Sequence, residues 1–126
     1  MEKSISIFFE NYANALRTFS AKEISGFYQT PMAVYSDQGV RAVNKDSEVL
    51  AFWTEGVKPY AAQKISSAIP TILHVDKLTN NIYMSKVKWK NYDESNNKVG
   101  EETNFYILTK FEDEIKISGL IIIQSN

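Results

Sequence analysis

"FYQTPMAVYSDQGVRAV", Phe27 to Val43, is the stretch that decides how the chain is read. Proline disfavours helical geometry in the residue before it, so Pro31 is expected to end any helix that carries Phe27 and Tyr28. A short strand, Met32 to Tyr35, follows. Ser36-Asp37-Gln38-Gly39 then has the make-up of a turn: Ser and Asp bond their own backbone, and Gly supplies positive φ. Two readings of Ser36 and Asp37 stand open. They put a hydroxyl and a carboxylate at a strand end, where chemistry could use them, or they only form the turn; the turn is the expectation.

Upstream, Ile5, Phe8, Phe9, Tyr12, Leu16 and Phe19 recur at spacings of three and four, one apolar helical stripe. "SAKE", Ser20 to Glu23, fits a capping box that opens a second helix near Ala21, running through Ile24, Phe27 and Tyr28. Downstream, Asn44 is a plausible N-cap for a third helix with Leu50, Trp53, Val57 and Tyr60 on one face, weakened at its far end by Pro59. From Lys64 the period becomes two. "KISSAIPTILHVDKL" reads as a long strand that Pro70 assigns to an edge or a bulge. In "NNIYMSKVKWKNYD", Tyr83, Ser85, Val87 and Trp89 share one face, and Ile82, Met84, Lys86, Lys88 and Lys90 the other. "ESNNKVG" is a hairpin loop. "EETNFYILTKF" and "EIKISGLIIIQ", linked by "EDE", complete an antiparallel meander. The layout is α+β, with helices gathered on one side of a curved sheet.

With 126 residues, 44% hydrophobic and 23% charged, the chain is expected to form one domain, 1–126, with a core that needs no staples. Cysteine is absent, which removes disulfides, thiolate catalysis and cysteine metal sites. A net charge of −1 offers no basic stripe for a nucleic acid. No apolar run approaches the roughly 20 residues of a membrane span. "MEKSISIFFENY" lacks a signal-peptide pattern, so a cytoplasmic protein is expected.

This order of elements, with "FFENYANALRTFSAKEISGFYQTPMAVYSDQGV" at the front and "FYILTKFEDEIKISGLIII" at the end, resembles the nuclear transport factor two-like superfamily, which includes the SnoaL-like cyclases and the ketosteroid isomerases. The two segments look like an uncharacterised bacterial branch. The resemblance spans nearly the whole chain and implies a cone: a sheet wrapped around the N-terminal helices, with a pocket at the open end and, in many members, dimerisation through the outer sheet face. It does not imply one activity, because the fold carries many. The isomerases use a helical Tyr, a general-base Asp at the end of the first strand and a protonated Asp on a later strand. Tyr12 matches the Tyr. The base position falls on Ser36, with Asp37 one residue out of phase and so on the other strand face. The later acid position falls near Tyr106 or Ile107. A steroid-type isomerase is not supported.

Each remaining candidate has a plain alternative. Tyr12 donates into the pocket or packs with its hydroxyl at the rim. Asp37 is a base only if a bulge turns it inward, and Ser36 as nucleophile lacks a sequence-near base. His74, the only histidine, cannot form a zinc site with ordinary ligand sets, so it is a strand surface residue or a pocket acid-base group; no metal or cofactor is expected. Glu102 shares a strand face with Asn104 and Tyr106, and the sequence leaves open whether that face turns inward. Tyr28, Trp53 and Trp89, with Ser36, complete the set of potential ligand contacts in an aromatic-walled cavity. Lys86, Lys88 and Lys90 read as a solvated face, with Lys90 near Glu101 or Glu102. "GLIII", Gly119 to Ile123, is apolar on both faces, as a central strand or dimer seam would be. The expected function is binding of a small hydrophobic molecule by a homodimer, with weak or absent catalysis. The alternatives are an isomerase, dehydratase or cyclase using Tyr12 with Asp37, Glu102 or His74, and a noncatalytic dimeric interaction module.

Overall fold

A computed structural model describes residues 2–123. Helix α1 (Glu2–Leu16) and the short α2 (Ala21–Ser25) precede a hairpin of β1 (Tyr28–Ser36) and β2 (Gly39–Val43). Helix α3 (Asp46–Ala62) follows, then β3 (Ile65–Lys77), β4 (Ile82–Asp93), β5 (Lys98–Phe111) and β6 (Glu114–Ile123). The strands form one sheet in the order β2-β1-β6-β5-β4-β3. The β1–β6, β3–β4, β4–β5 and β5–β6 pairings each carry a register shift. Such bulges bend strands, and here they curve the sheet around the helices.

The α1 stripe packs as its spacing predicts. Ile5, Phe8, Phe9, Tyr12 and Leu16 are buried, against the inward row Tyr83, Ser85, Val87 and Trp89 of β4. Phe19 is the exception: it lies past the helix end at φ 55°, partly exposed. Pro70 does lie on an edge strand, since β3 ends the sheet order. The β6 strand is central, between β1 and β5, and Gly119 sits where a Cβ would come 2.9 Å from Ile107 Cγ1.

Other local expectations change. The second helix stops at Ser25, well before Phe27 and Tyr28. The Ile117 amide donates to the Phe27 carbonyl at 2.8 Å and Tyr28 pairs with Ile117, so the chain is drawn onto β6 before another turn can form. Pro31 lies inside β1, where the pairing with β6 lapses between Tyr28 and Ala33; a residue without an N–H is tolerated at such a gap. This β1–β6 pairing is parallel, within an otherwise antiparallel sheet.

The capping box is half formed: the Glu23 amide donates to Ser20 Oγ at 3.2 Å, while the Ser20 amide is taken by Thr18 Oγ1. On α3 the cap comes from within the helix, Glu48 Oε1 accepting from the amides of Asn44 and Lys45, and not from the Asn44 side chain. Val49, not Leu50, joins Trp53 in the core. Pro59 does not shorten α3, because the Gln63 amide donates to the Pro59 carbonyl and closes the last turn. Of the hairpin loop, Lys98, Val99 and Gly100 already belong to β5; Asp93 Oδ1 holds the loop through the Ser95 and Asn97 amides. Lys90 lies opposite Glu101 in register, but the ion pairs to Glu101 come from Lys88 and Lys98.

Candidate functional site

A cavity of about 290 Å³ lies between the helices and the inward face of the sheet. Helix α3 supplies Phe52, Trp53, Gly56, Pro59 and Tyr60, which recur at helical spacing and so share one face. Helix α1 supplies Tyr12 and Leu16, and β1 supplies Tyr28. The sheet contributes Trp89 from β4, Glu102, Asn104 and Tyr106 from β5, and Leu120 and Ile122 from β6. Alternation on β5 settles which way that polar trio faces: Glu102 pairs with Trp89, Asn104 with Val87 and Tyr106 with Ser85, all inward positions.

The polar groups fall into two sets. In the first, the hydroxyls of Tyr12 and Tyr28 lie 2.5 Å apart, one donating to the other. The Tyr106 oxygen accepts from Trp89 Nε1 at 2.9 Å and from Asn104 Nδ2 at 3.4 Å. The Trp53 indole N–H lies near the Tyr28 oxygen and favours its anion. It is out of hydrogen-bonding geometry, however, and has no partner among the described residues. In the second set, the Tyr60 hydroxyl donates to Glu102 Oε1 at 2.6 Å.

Burial is the main reason that Tyr12, Tyr28, Tyr60 and Tyr106 all hold their protons far more tightly than a solvated phenol. For Tyr12 the neighbouring Tyr28 and Tyr106 add to this, and for Tyr60 the Glu102 carboxylate does. For Tyr28 the Tyr12 and Trp53 donors work the other way without reversing it. The cluster is therefore a set of neutral hydroxyl donors. Ring packing fixes it further: Tyr12 meets Tyr28, Trp89 and Tyr106 edge to face, with centroids 6.0, 5.8 and 6.3 Å apart.

Counting protons shows what the first set can do. A phenol oxygen has two lone pairs and one proton. Both Tyr106 acceptor positions are filled, and its own proton has no acceptor among the described residues. The Tyr12–Tyr28 pair uses one proton internally and keeps one. With Trp53 N–H, the cavity wall holds three donors without an acceptor among the described residues.

The cavity thus gathers Tyr12, Tyr28, Trp53, Trp89, Glu102, Asn104 and Tyr106. It leaves out three candidates. Ser36 Oγ accepts the Gln38 amide and stabilises the two-residue turn Asp37-Gln38. It lies in an adjoining groove that shares Phe52 and Ile122 with the cavity. Asp37 is exposed at the tip, and the bulge that would have turned it inward is absent, since the β1–β2 register runs without a shift to Ser36↔Gly39. His74 is on the edge strand β3, its side chain 57% exposed and 2.9 Å from the exposed Asp76 carboxylate. Sequence reasoning missed Tyr60 and Phe52 as site residues. Their signal was helical spacing: Tyr60 falls on the stripe with Trp53, and Phe52 and Tyr60 lie four residues either side of Gly56. Among the described residues no group of His, Asp and Glu could hold a metal ion, and no helix is long and apolar enough to cross a membrane.

A family model described as NTF2-like protein (DUF6841) matches residues 2–124. The chain belongs to this family. Comparison with curated proteins finds no match. Among solved structures, a domain of unknown function with a cystatin-like fold from Nostoc punctiforme is similar at TM-score 0.76 and 13% identity, over 99% of this chain and 77% of that one. An NTF-2 like protein of unknown function from Shewanella oneidensis is similar at TM-score 0.73 and 15% identity, over 95% and 96%. A ketosteroid isomerase-like protein from Erwinia carotovora atroseptica is similar at 0.66 and 8%, over 98% and 96%. At these identities the likeness establishes the NTF2-like, cystatin-like fold and no activity.

Proposed function

We propose that this NTF2-like chain binds a small, mostly apolar molecule in the cavity, and that the molecule presents an oxygen acceptor to Tyr12, Tyr28, Trp53 and Tyr106. The observation that carries this reading is the Tyr106 oxygen with both acceptor positions filled, beside two further donors with no acceptor among the described residues. Buried donors without acceptors are unfavourable, so a carbonyl or hydroxyl oxygen bound there recovers hydrogen bonds as well as apolar contact. Catalysis is weak or absent in this reading, because Ser36 and Asp37 lie at a turn outside the cavity. The test is a titration of the tryptophan fluorescence with a panel of small aromatic ketones and alcohols. Micromolar saturation that weakens about tenfold or more in Tyr106→Phe supports the reading, by the loss of one well-made hydrogen bond. No saturable change across the panel, or binding indifferent to Tyr106, overturns it.

A second reading rests on Glu102, the one carboxylate among the described residues that line the cavity: an isomerase-, dehydratase- or cyclase-type reaction in which it moves a proton while the tyrosines hold an oxyanion. Turnover of a bound ketone that disappears in Glu102→Gln while binding persists supports that reading over the first. The homodimer belongs to the same proposal. Phe105, Ile107, Ile121 and Tyr35 line up across the outer face of β5, β6 and β1, an apolar patch suited to a second copy. Light scattering that returns a monomer at micromolar concentration removes the dimer.

A further inference from the structure

Building on that binding reading, we infer that the ligand carries a positive charge, a protonated amine or quaternary ammonium, held between Glu102 and the aromatic walls of the cavity. The charge of the lining is one-sided. Among the described residues that line the cavity, Glu102 is the only one with a charged side chain. No Lys, Arg or His is among them. Arg41 comes near, with its guanidinium 5.7 Å from the Phe52 ring centre, but it lines the adjoining groove with Ser36 and Val40. The tyrosines do not add a second negative charge, because burial keeps them protonated.

Such a lining selects by sign. An anionic ligand meets the half-buried Glu102 carboxylate with no cationic side chain in the lining to offset it. A neutral ligand gains only the apolar contact and the donors. A cation gains a charge-assisted hydrogen bond or ion pair at Glu102 together with the negative faces of the rings. Glu102 is prepared for this role. Tyr60 fixes one oxygen, Oε1, at 2.6 Å, and Oε2 has no hydrogen-bond partner among the described residues. Tyr28, Phe52, Trp53 and Tyr60 stand around the same space, and tryptophan and tyrosine faces attract cations most strongly. With the hydroxyl donors on one side and the carboxylate on another, the lining matches a small aryl or alkyl amine that also bears an oxygen.

The chain has two tryptophans, Trp53 and Trp89, and both line the cavity, so intrinsic fluorescence reports on it directly. The probes are phenethylamine, 2-phenylethanol and phenylacetate, which share a ring and differ in terminal charge. The expected result is that the ammonium binds about tenfold or more tighter than the alcohol, with the carboxylate weakest. In Glu102→Gln the preference for the amine over the alcohol shrinks to within about twofold, since the charge is removed and the shape kept. Tyr60→Phe, which frees Oε1 and keeps the carboxylate, retains the preference; far-UV circular dichroism confirms that both variants are folded. Equal binding of amine and alcohol, or a preference that survives Glu102→Gln, overturns the inference and leaves the binding reading standing. Failure of all three probes to bind overturns both.

Discussion

The tip of the β1–β2 hairpin and the inward face of β5 carry similar chemistry. One has Ser36, Asp37 and Gln38; the other has Glu102, Asn104 and Tyr106. At the tip, the polar atoms satisfy one another: Ser36 Oγ serves the Gln38 amide and side chain, and Asp37 faces solvent. On β5 they face an aromatic wall under α3 and α1, where each hydrogen bond made leaves a count of those unmade. Residue type does not separate the two regions. What separates them is whether helices cover the strand face, which converts a polar side chain from a solvated group into one that must find a partner. Side-chain truncations should therefore act strongly on β4 and β5 and barely at Asp37.

The largest effect is expected at Trp89, 1% exposed and edge to face with Phe9 and Tyr12. Trp89→Ala should lower unfolding free energy by about 3–5 kcal/mol in a denaturant melt, by lost burial and the cavity left behind. A loss below about 1 kcal/mol would mean that the β4 face is not the core.

Gly119→Ala comes next. Its Cβ would stand 2.9 Å from Ile107 Cγ1, across a β5–β6 seam held on both sides. Overpacking of this kind costs about 1–3 kcal/mol, read from the same melt. In an Ile107→Ala background part of that loss should be recovered, because Ile107 Cγ1, the atom nearest the new Cβ, is gone. No recovery would place the strain in the backbone.

A third effect depends on pH. The phenols of Tyr12, Tyr28, Tyr60 and Tyr106 lose their protons far less readily in the folded chain than in the unfolded one. Their folded values lie above the unfolded value of about 10, so their contribution is complete below pH 10 and is lost as pH rises beyond it. Each such tyrosine steepens the alkaline loss of stability by about 1.4 kcal/mol per pH unit. Tyr28→Phe should remove one such increment from the slope between pH 10 and 11.5, measured by urea unfolding at each pH. An unchanged slope would show that Tyr28 ionises as readily folded as unfolded.

How much of this was legible follows from which forces act locally. The inward row Tyr83, Ser85, Val87, Trp89 could be read from alternation alone, because one buried face imposes a period of two. The α1 stripe was legible for the same reason, up to Phe19, where the helix had already ended. Phe27 and Tyr28 were misplaced in a helix because their fate is set by Ile117, some ninety positions away, through one amide and a parallel pairing. No local pattern encodes that. The same limit applied at the site. Glu102, Asn104 and Tyr106 were seen to share a face, but the direction of that face depends on the β4 register, which appears only once Trp89 is known to oppose Glu102. Tyr60 was placed on the α3 stripe with Trp53 but not tied to the cavity; Pro59 was expected to weaken that end, and here the Gln63 amide caps the Pro59 carbonyl and the turn survives.

The smallest expected effect is the one that bears most on the comparison. The resemblance to ketosteroid isomerases read from the sequence sets Asp37 one residue past a base position, and on this fold it stands exposed in a two-residue turn. Asp37→Ala should change stability by no more than about 0.5 kcal/mol, the usual range for a surface residue away from special contacts. It should leave ligand affinity in the fluorescence titration within about twofold, since the cavity wall does not include it. Gly39→Ala next door provides the contrast: with φ at 130°, a conformation costly for any residue bearing a Cβ, it should destabilise the hairpin by about 1 kcal/mol or more without touching the cavity. Loss of affinity in Asp37→Ala, with Gly39→Ala binding normally, would place the carboxylate itself in the site and end the separation between tip and cavity. Intact affinity in both assigns Ser36-Asp37-Gln38-Gly39 to turn formation, and leaves Glu102 as the carboxylate whose chemistry the cavity can use.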